Sequence, residues 1–124
     1  MCKDKDYSSE LKKKINKYIK NHFSFEYGKS QQYLSHRIGL SIEEIESELK
    51  NCKNLVFTYK RETNGEIRYT LYFIYSKHSG RVYVLTFRDK IRVITAFPLG
   101  RRTLKKYFRR KFINEKGLSK IWTK

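Results

Sequence analysis

Arg92, in the stretch Lys90-Ile91-Arg92-Val93-Ile94-Thr95-Ala96-Phe97, and the Arg101-Arg102 pair beyond Pro98 and Gly100 are the residues of this chain best suited to chemistry on a phosphate. On a strand, a guanidinium holds its fork of donors in one orientation and can grip two phosphate oxygens at once, which a loop lysine cannot. Arginines in the first turn of a helix run against the macrodipole, at roughly 0.3–1 kcal/mol each, but they add positive charge where unpaired backbone amides already point. Metal-free cleavage of an RNA backbone needs such cations for the phosphorane charge, with a proton acceptor and a proton donor around an attacking 2′-hydroxyl. His36, whose ordinary pKa lies near neutrality, is the candidate base. Tyr107 is the candidate donor, or a platform for a stacked base. If RNA is cleaved, the candidate catalytic set is Arg92, His36, Tyr107, Arg101 and Arg102. Plainer roles compete with each: a carboxylate partner for Arg92, simple exposure for a lone helical His36, a core position for Tyr107. His78 reads as a turn residue and Glu66 as one half of a cross-strand pair.

These residues stand in a polarised charge field. Of a net charge of +17, residues 67–124 carry +14, from sixteen Lys/Arg against only Asp89 and Glu115, whereas residues 1–66 carry thirteen basic and ten acidic residues. A one-signed field opposes folding by self-repulsion, and nucleic-acid backbone is the commonest partner that relieves it. Arg68, Arg81, Arg88, Lys90, Lys105, Lys106, Arg109 and Arg110 are the expected RNA contacts. Tyr69, Tyr72, Tyr75, Tyr83 and Tyr107 interleave with them and can stack bases, although most of the ten tyrosines must be core. Two-metal hydrolysis needs converging carboxylates, which the basic half lacks, and Cys2 and Cys52 form no Cys-x-x-Cys and have no nearby His; no metal or other cofactor is expected. No apolar run reaches the roughly 20 residues of a membrane-spanning helix, and the start Met1-Cys2-Lys3-Asp4-Lys5-Asp6 has no apolar stretch behind its charges. The expectation is a soluble, cytoplasmic protein.

The elements that must position these side chains follow from periodicity. A length of 124 residues fits one domain, with a helical part over 9–51, a sheet over 54–97, a basic helix over 101–112 and a tail over 113–124. Leu11, Ile15, Tyr18, Ile19 and His22 recur at helical spacing after Ser8-Ser9, which can cap. Phe25-Glu26-Tyr27-Gly28 reads as a break. Ser30 opens a short helix that Gly39 ends, and Ser41-Ile42-Glu43-Glu44 is a capping box before the apolar stripe Ile42, Ile45, Leu49. From Asn54 the period changes to two. Leu55–Arg61 and Glu66–Ser76 flank Asn64-Gly65, a pair that tolerates the positive φ of a primed hairpin turn. Strands around Val82–Phe87 and Lys90–Phe97 follow through short turns, so the expectation is an α+β fold with a four-stranded antiparallel meander. In the last strand Ile91, Val93 and Phe97 are expected on the buried face, with Lys90 and Arg92 on the other. Leu104, Phe108 and Phe112 give the final helix its stripe.

Glu66-Ile67-Arg68-Tyr69, Gly80-Arg81-Val82-Tyr83-Val84-Leu85-Thr86-Phe87 and Ile91-Arg92-Val93-Ile94-Thr95-Ala96, followed by a basic helix with Tyr107, resemble the BrnT-type toxins of the RelE-like ribonuclease superfamily over residues 62–112. In that family a strand of the form Ile-Arg-Ile-Ile-Ser-Ala-Arg precedes a Tyr-containing helix. The resemblance implies a RelE/BrnT-like fold and a metal-independent endoribonuclease that leaves 2′,3′-cyclic phosphate ends. It also implies an acidic antitoxin protein as partner, besides RNA, free or on the ribosome. By position Arg92 takes the strand arginine and Thr95 the small hydroxyl residue. Phe97 stands where the family has its second arginine, which leaves that role to Arg101 or Arg102.

Two other readings compete. Leu34–Ile45 fits a helix-turn-helix with Gly39 at the turn, and residues 31–76 then make a winged-helix DNA-binding protein. Its recognition helix would push Glu43, Glu44, Glu46 and Glu48 toward phosphates. A noncatalytic RNA- or ribosome-binding module is the other.

Overall fold

A computed structural model describes residues 6–21, 25–76 and 78–107. Arg109, Arg110, Phe108, Phe112, His22 and the tail over 113–124 lie outside the described residues. Three helices come before the main sheet: α1 (Ser8–Lys20), α2 (Gln31–Ile38) and α3 (Ile42–Asn51). Ser30 caps α2 by accepting from the Tyr33 amide, and Gly39 ends it in the left-handed region at φ 72°. The Ser41/Glu44 capping box forms in both directions. At α1 the expected serine cap is absent: Tyr7 occupies the cap position and makes no side-chain cap bond. The Ser8 hydroxyl bonds Asp6 instead, at 2.7 Å, and the Tyr7 amide donates to the Thr58 carbonyl at 2.9 Å, so tertiary contacts fix where this helix begins.

The meander forms as β2 (Leu55–Thr63), β3 (Glu66–Ser76), β4 (Ser79–Phe87) and β5 (Ile91–Pro98). Asn64 and Gly65 both take positive φ, 52° and 79°, and this two-residue turn sets Thr63 opposite Glu66. Four antiparallel strands are not the whole sheet. Phe25–Tyr27, expected to be a break, is a strand, β1, that pairs parallel with β5 in the register Phe25↔Ile91, Glu26↔Arg92, Tyr27↔Val93. The sheet is five-stranded and mixed, in the order β1-β5-β4-β3-β2. Gly28 secures the join: its amide donates to the Val93 carbonyl at 2.7 Å, and a Cβ there would sit 3.1 Å from the Ile94 oxygen.

One sheet face carries the core. Tyr69, Leu71, Phe73, Tyr83, Leu85, Ile91, Val93 and Ala96 pack against Leu11 and Ile15 of α1, Leu34 of α2, and Ile45 and Leu49 of α3. The inward position expected for Phe97 is corrected by a bulge. Val84 pairs with Thr95 but Leu85 pairs with Val93, so Ile94 is the extra residue and the alternation shifts by one. Ala96 therefore enters the core, and Phe97 shares the opposite face with Arg92. A short helix, α4 (101–107), lies on that face with its Leu104 buried. A Cβ on Gly80 would come within 3.3 Å of the Leu104 side chain, which places α4 at the Gly80 end of β4.

Candidate nucleic-acid interface

Strand register sets five residues of the second face in one row. Arg61 on β2 lies opposite Arg68 on β3, Arg68 opposite Thr86 on β4, Thr86 opposite Arg92 on β5, and Arg92 opposite Glu26 on β1. Three arginines thus share one rung, broken only by Thr86, whose hydroxyl turns away to donate to the Ile67 carbonyl at 2.7 Å. Like charges directly across a strand pair are destabilising. Two carboxylates moderate the repulsion. Glu66 accepts from Arg68 at 2.8 Å and from Arg88, and these hydrogen bonds hold its carboxyl below the ordinary range. Glu26 pairs with Arg92. Among the described residues Arg61 makes no ion pair and is exposed.

Beside this rung the face dips. The next outward-facing row, Tyr59↔Thr70↔Val84↔Thr95, holds small side chains at its three last positions, and the row beyond, Phe57↔Tyr72↔Val82↔Phe97, is largely aromatic. Tyr59 meets Phe57 and Tyr72 edge to face, with centroids 4.7 and 5.6 Å apart. A cleft of about 500 Å³ opens between the aromatic and arginine rows, lined by Tyr59, Arg61, Arg68, Thr70, Tyr72 and Val84 among others. The Arg37 guanidinium lies 5.4 Å from the Phe97 ring at the far end of the aromatic row.

The structure distributes the sequence candidates instead of gathering them. Arg92 and Arg68 stand on the rung, and Arg88 joins them through Glu66; Lys90 is exposed in the β4–β5 turn beside Arg88. His36 is exposed on α2 next to Arg37, whose contact with Phe97 is five residues along β5 from Arg92, about 16 Å at strand rise. Arg101 and Arg102 follow Leu99, whose amide donates to the Gly80 carbonyl at 2.9 Å, so they too belong to the Phe97 end with Lys105, Lys106 and Tyr107 of α4. The candidate base and the second cation pair are therefore set toward one end of the sheet and Arg92 toward the other.

Arg81 faces the helices. Its guanidinium binds the Tyr75 hydroxyl at 2.8 Å, the Ile38 carbonyl at 3.3 Å and Glu48 at 3.3 Å, and Glu48 also accepts from Tyr83 at 2.6 Å. Tyr69 and Tyr83 are core, Tyr75 serves Arg81, and of the strand tyrosines expected to stack bases only Tyr72 faces the cleft. Glu43 and Glu44 are exposed on α3, and Asn54–Ser76, the wing of the winged-helix reading, is built into the middle and edge of the sheet. His78 sits in the β3–β4 turn, its amide donating to the Ser76 hydroxyl. Arg61, Tyr59 and Glu26 were missed. The first two were within reach, because a two-residue Asn64-Gly65 turn fixes 63↔66 and hence 61↔68 by counting.

Burial pushes the Glu48 carboxyl up, against the pull of the Tyr83 hydroxyl and Arg81. A carboxyl that holds its proton more tightly when folded loses stability as pH rises from 4.5 through the raised value, because the unfolded chain then binds fewer protons than the folded one. Glu10 and Glu66, both lowered, act below 4.5 and in the opposite sense. Urea midpoints measured from pH 4.5 to 7 should therefore fall less steeply in Glu48→Gln than in the wild type; an unchanged slope would show that Glu48 ionises freely.

Comparison with protein-family models, with curated proteins and with solved structures finds no match. Among the described residues no helix is long and apolar enough to cross a membrane.

Proposed function

We propose that this chain is an RNA-binding protein whose contact surface is the sheet face opposite the three N-terminal helices. The observation that carries the reading is Arg61 directly opposite Arg68 with Arg92 on the same rung, a like-charge row that costs the fold stability and that phosphate neutralises. The two carboxylates that meet the rung, Glu26 on it and Glu66 beside it, occupy Arg92 and Arg68 as phosphates would. Duplex DNA reading by α3 has less support, since Glu43 and Glu44 face solvent where a recognition helix would meet phosphate. Cleavage of the toxin type implied by the family resemblance would require Arg92 to act without His36 or the Arg101-Arg102 pair beside it, so binding is the reading the geometry favours.

Labelled RNA titrated across a salt series tests this. If the three rung arginines each neutralise one phosphate of a single strand, the log–log slope of affinity against salt should be about −2 or steeper. A flat salt response would retire the reading. The same mixtures held in EDTA and examined for 2′,3′-cyclic phosphate ends decide the catalytic question: cleavage lost in Arg92→Ala would add metal-independent hydrolysis to the binding function.

A further inference from the structure

The second face is a trough with two unlike walls. Its floor is the row of small residues Thr70, Val84 and Thr95, which runs across β3, β4 and β5 at right angles to the strands. One wall carries Arg68 and Arg92, extended onto β2 by Arg61. The other carries Tyr72 and Phe97, with Tyr59 closing the β2 end. Arg68 and Tyr72 are four residues apart on β3, so the walls stand about 13 Å apart at their backbones, before their long side chains lean in. The arginine wall spans three strand intervals, from β2 to β5, or about 14 Å.

We propose that this trough takes one unpaired RNA strand, laid across the β-strands, with its phosphates along the Arg61–Arg68–Arg92 wall and its bases turned to the Tyr59–Tyr72 side. This rests on the RNA-binding reading above and names its substrate class. The walls differ in kind as the two edges of a single strand differ: charge and paired donors suit a phosphate run, and an aromatic lining suits bases whatever their sequence. A duplex offers the opposite pattern, since its bases are stacked inside and both outer edges are phosphate, so the aromatic wall would find nothing to stack on and would abut charge. The cleft volume of about 500 Å³ at the β2–β3 end lies in the range of pockets that enclose a small organic group, enough for one splayed nucleotide.

The test uses the full chain and four labelled probes of one length at one salt concentration: a single RNA strand, the same sequence in a duplex, the single strand as DNA, and an abasic strand that keeps every phosphate. Single-stranded RNA should bind at least about tenfold more tightly than the duplex, and removing the bases should cost five- to hundredfold, the worth of one stacked base. Tyr72→Ala should lose a similar factor toward the base-bearing strands yet leave the abasic strand unchanged, and Tyr72→Phe should keep the wild-type affinity. A structural fault in the alanine variant would weaken all probes alike, and the abasic comparison on wild-type protein holds whether or not that variant folds. Equal or tighter duplex binding, or indifference to the bases, overturns the trough assignment while leaving RNA binding in place. Failure of every probe to bind overturns both. Equal affinity for the RNA and DNA strands supports the trough and shows that it reads backbone and bases without the 2′-hydroxyl.

Discussion

Replacing Arg61, Arg68 and Arg92 together by glutamine should lower affinity for a single RNA strand by at least about a hundredfold at low salt, and should cut the salt slope by about two. The slope follows from three lost phosphate contacts at roughly 0.7 each, and the affinity from charge-assisted hydrogen bonds worth about 1.5–3 kcal/mol apiece before any non-additivity. Glutamine keeps the aliphatic stem and an amide donor, so the face retains its shape. Folding should survive. Arg61 and Arg68 repel across the β2–β3 pair, and removing both recovers a few tenths of a kcal/mol, while Glu66 keeps Arg88 as its partner. The reciprocal change, Glu26→Gln, releases Arg92 from its carboxylate and should strengthen RNA binding several-fold. Neutralising Glu43 and Glu44 on α3 should do neither. A triple variant that binds RNA as the wild type does would move the interface to α4 or off the sheet altogether.

The parts of this fold that were legible are those whose cause is local. Ser30, Gly39 and the Ser41/Glu44 box act within four residues of themselves, and the Asn64-Gly65 turn closes a hairpin whose two strands alternate in step, so each could be read without knowing what lies elsewhere. β1 fails that test. Three residues are too few to show a period, and their pairing partner, Ile91–Val93, is more than sixty residues away. Its consequence for the site is direct, because β1 brings Glu26 to Arg92. The carboxylate shortage of the basic half is real in sequence, yet a carboxylate from the other half meets the arginine. Phe97 shows the second kind of loss. Strict alternation from Ile91 puts it in the core, and only the bulge at Ile94 turns it outward beside Arg92, a shift that depends on how β4 and β5 meet and leaves no mark in the residue types. Charge ratio found the basic half of the chain but could not choose its face. Arg81 and Arg92 look alike as strand arginines, and the sheet sends one toward the helices and the other away from them.

Gly80→Val should destabilise the fold by about 1–3 kcal/mol, and the sign is informative because intrinsic preference runs the other way. Glycine weakens a strand interior and valine favours one, so a position open to solvent would gain from the change. Gly80 is not open. A Cβ there would fall 2.8 Å from the Phe73 carbonyl oxygen and 2.7 Å from the Leu99 Cδ1, with the Leu104 Cδ2 at 3.3 Å. Leu99 can swing aside, but the Phe73 oxygen belongs to the neighbouring strand, where Ile74 is the register partner of Gly80, and it cannot retreat without opening the ladder. The same contact seats α4: the Leu99 amide bonds the Gly80 carbonyl, and Leu104, 1% exposed, packs over the glycine. Leu104→Ala should therefore lose about 2–5 kcal/mol, or the part of it that local undocking of α4 absorbs. Denaturant unfolding measures both. Binding separates them from the rung, since Arg61, Arg68 and Arg92 lie at the other end of the strands and should hold single-stranded RNA with nearly unchanged salt slope in any Gly80 variant that remains folded. A stable Gly80→Val protein would mean that β3 does not close on Gly80 as tightly as the Phe73 oxygen requires, whereas a Leu104→Ala protein as stable as the wild type would mean that α4 does not rest on β4.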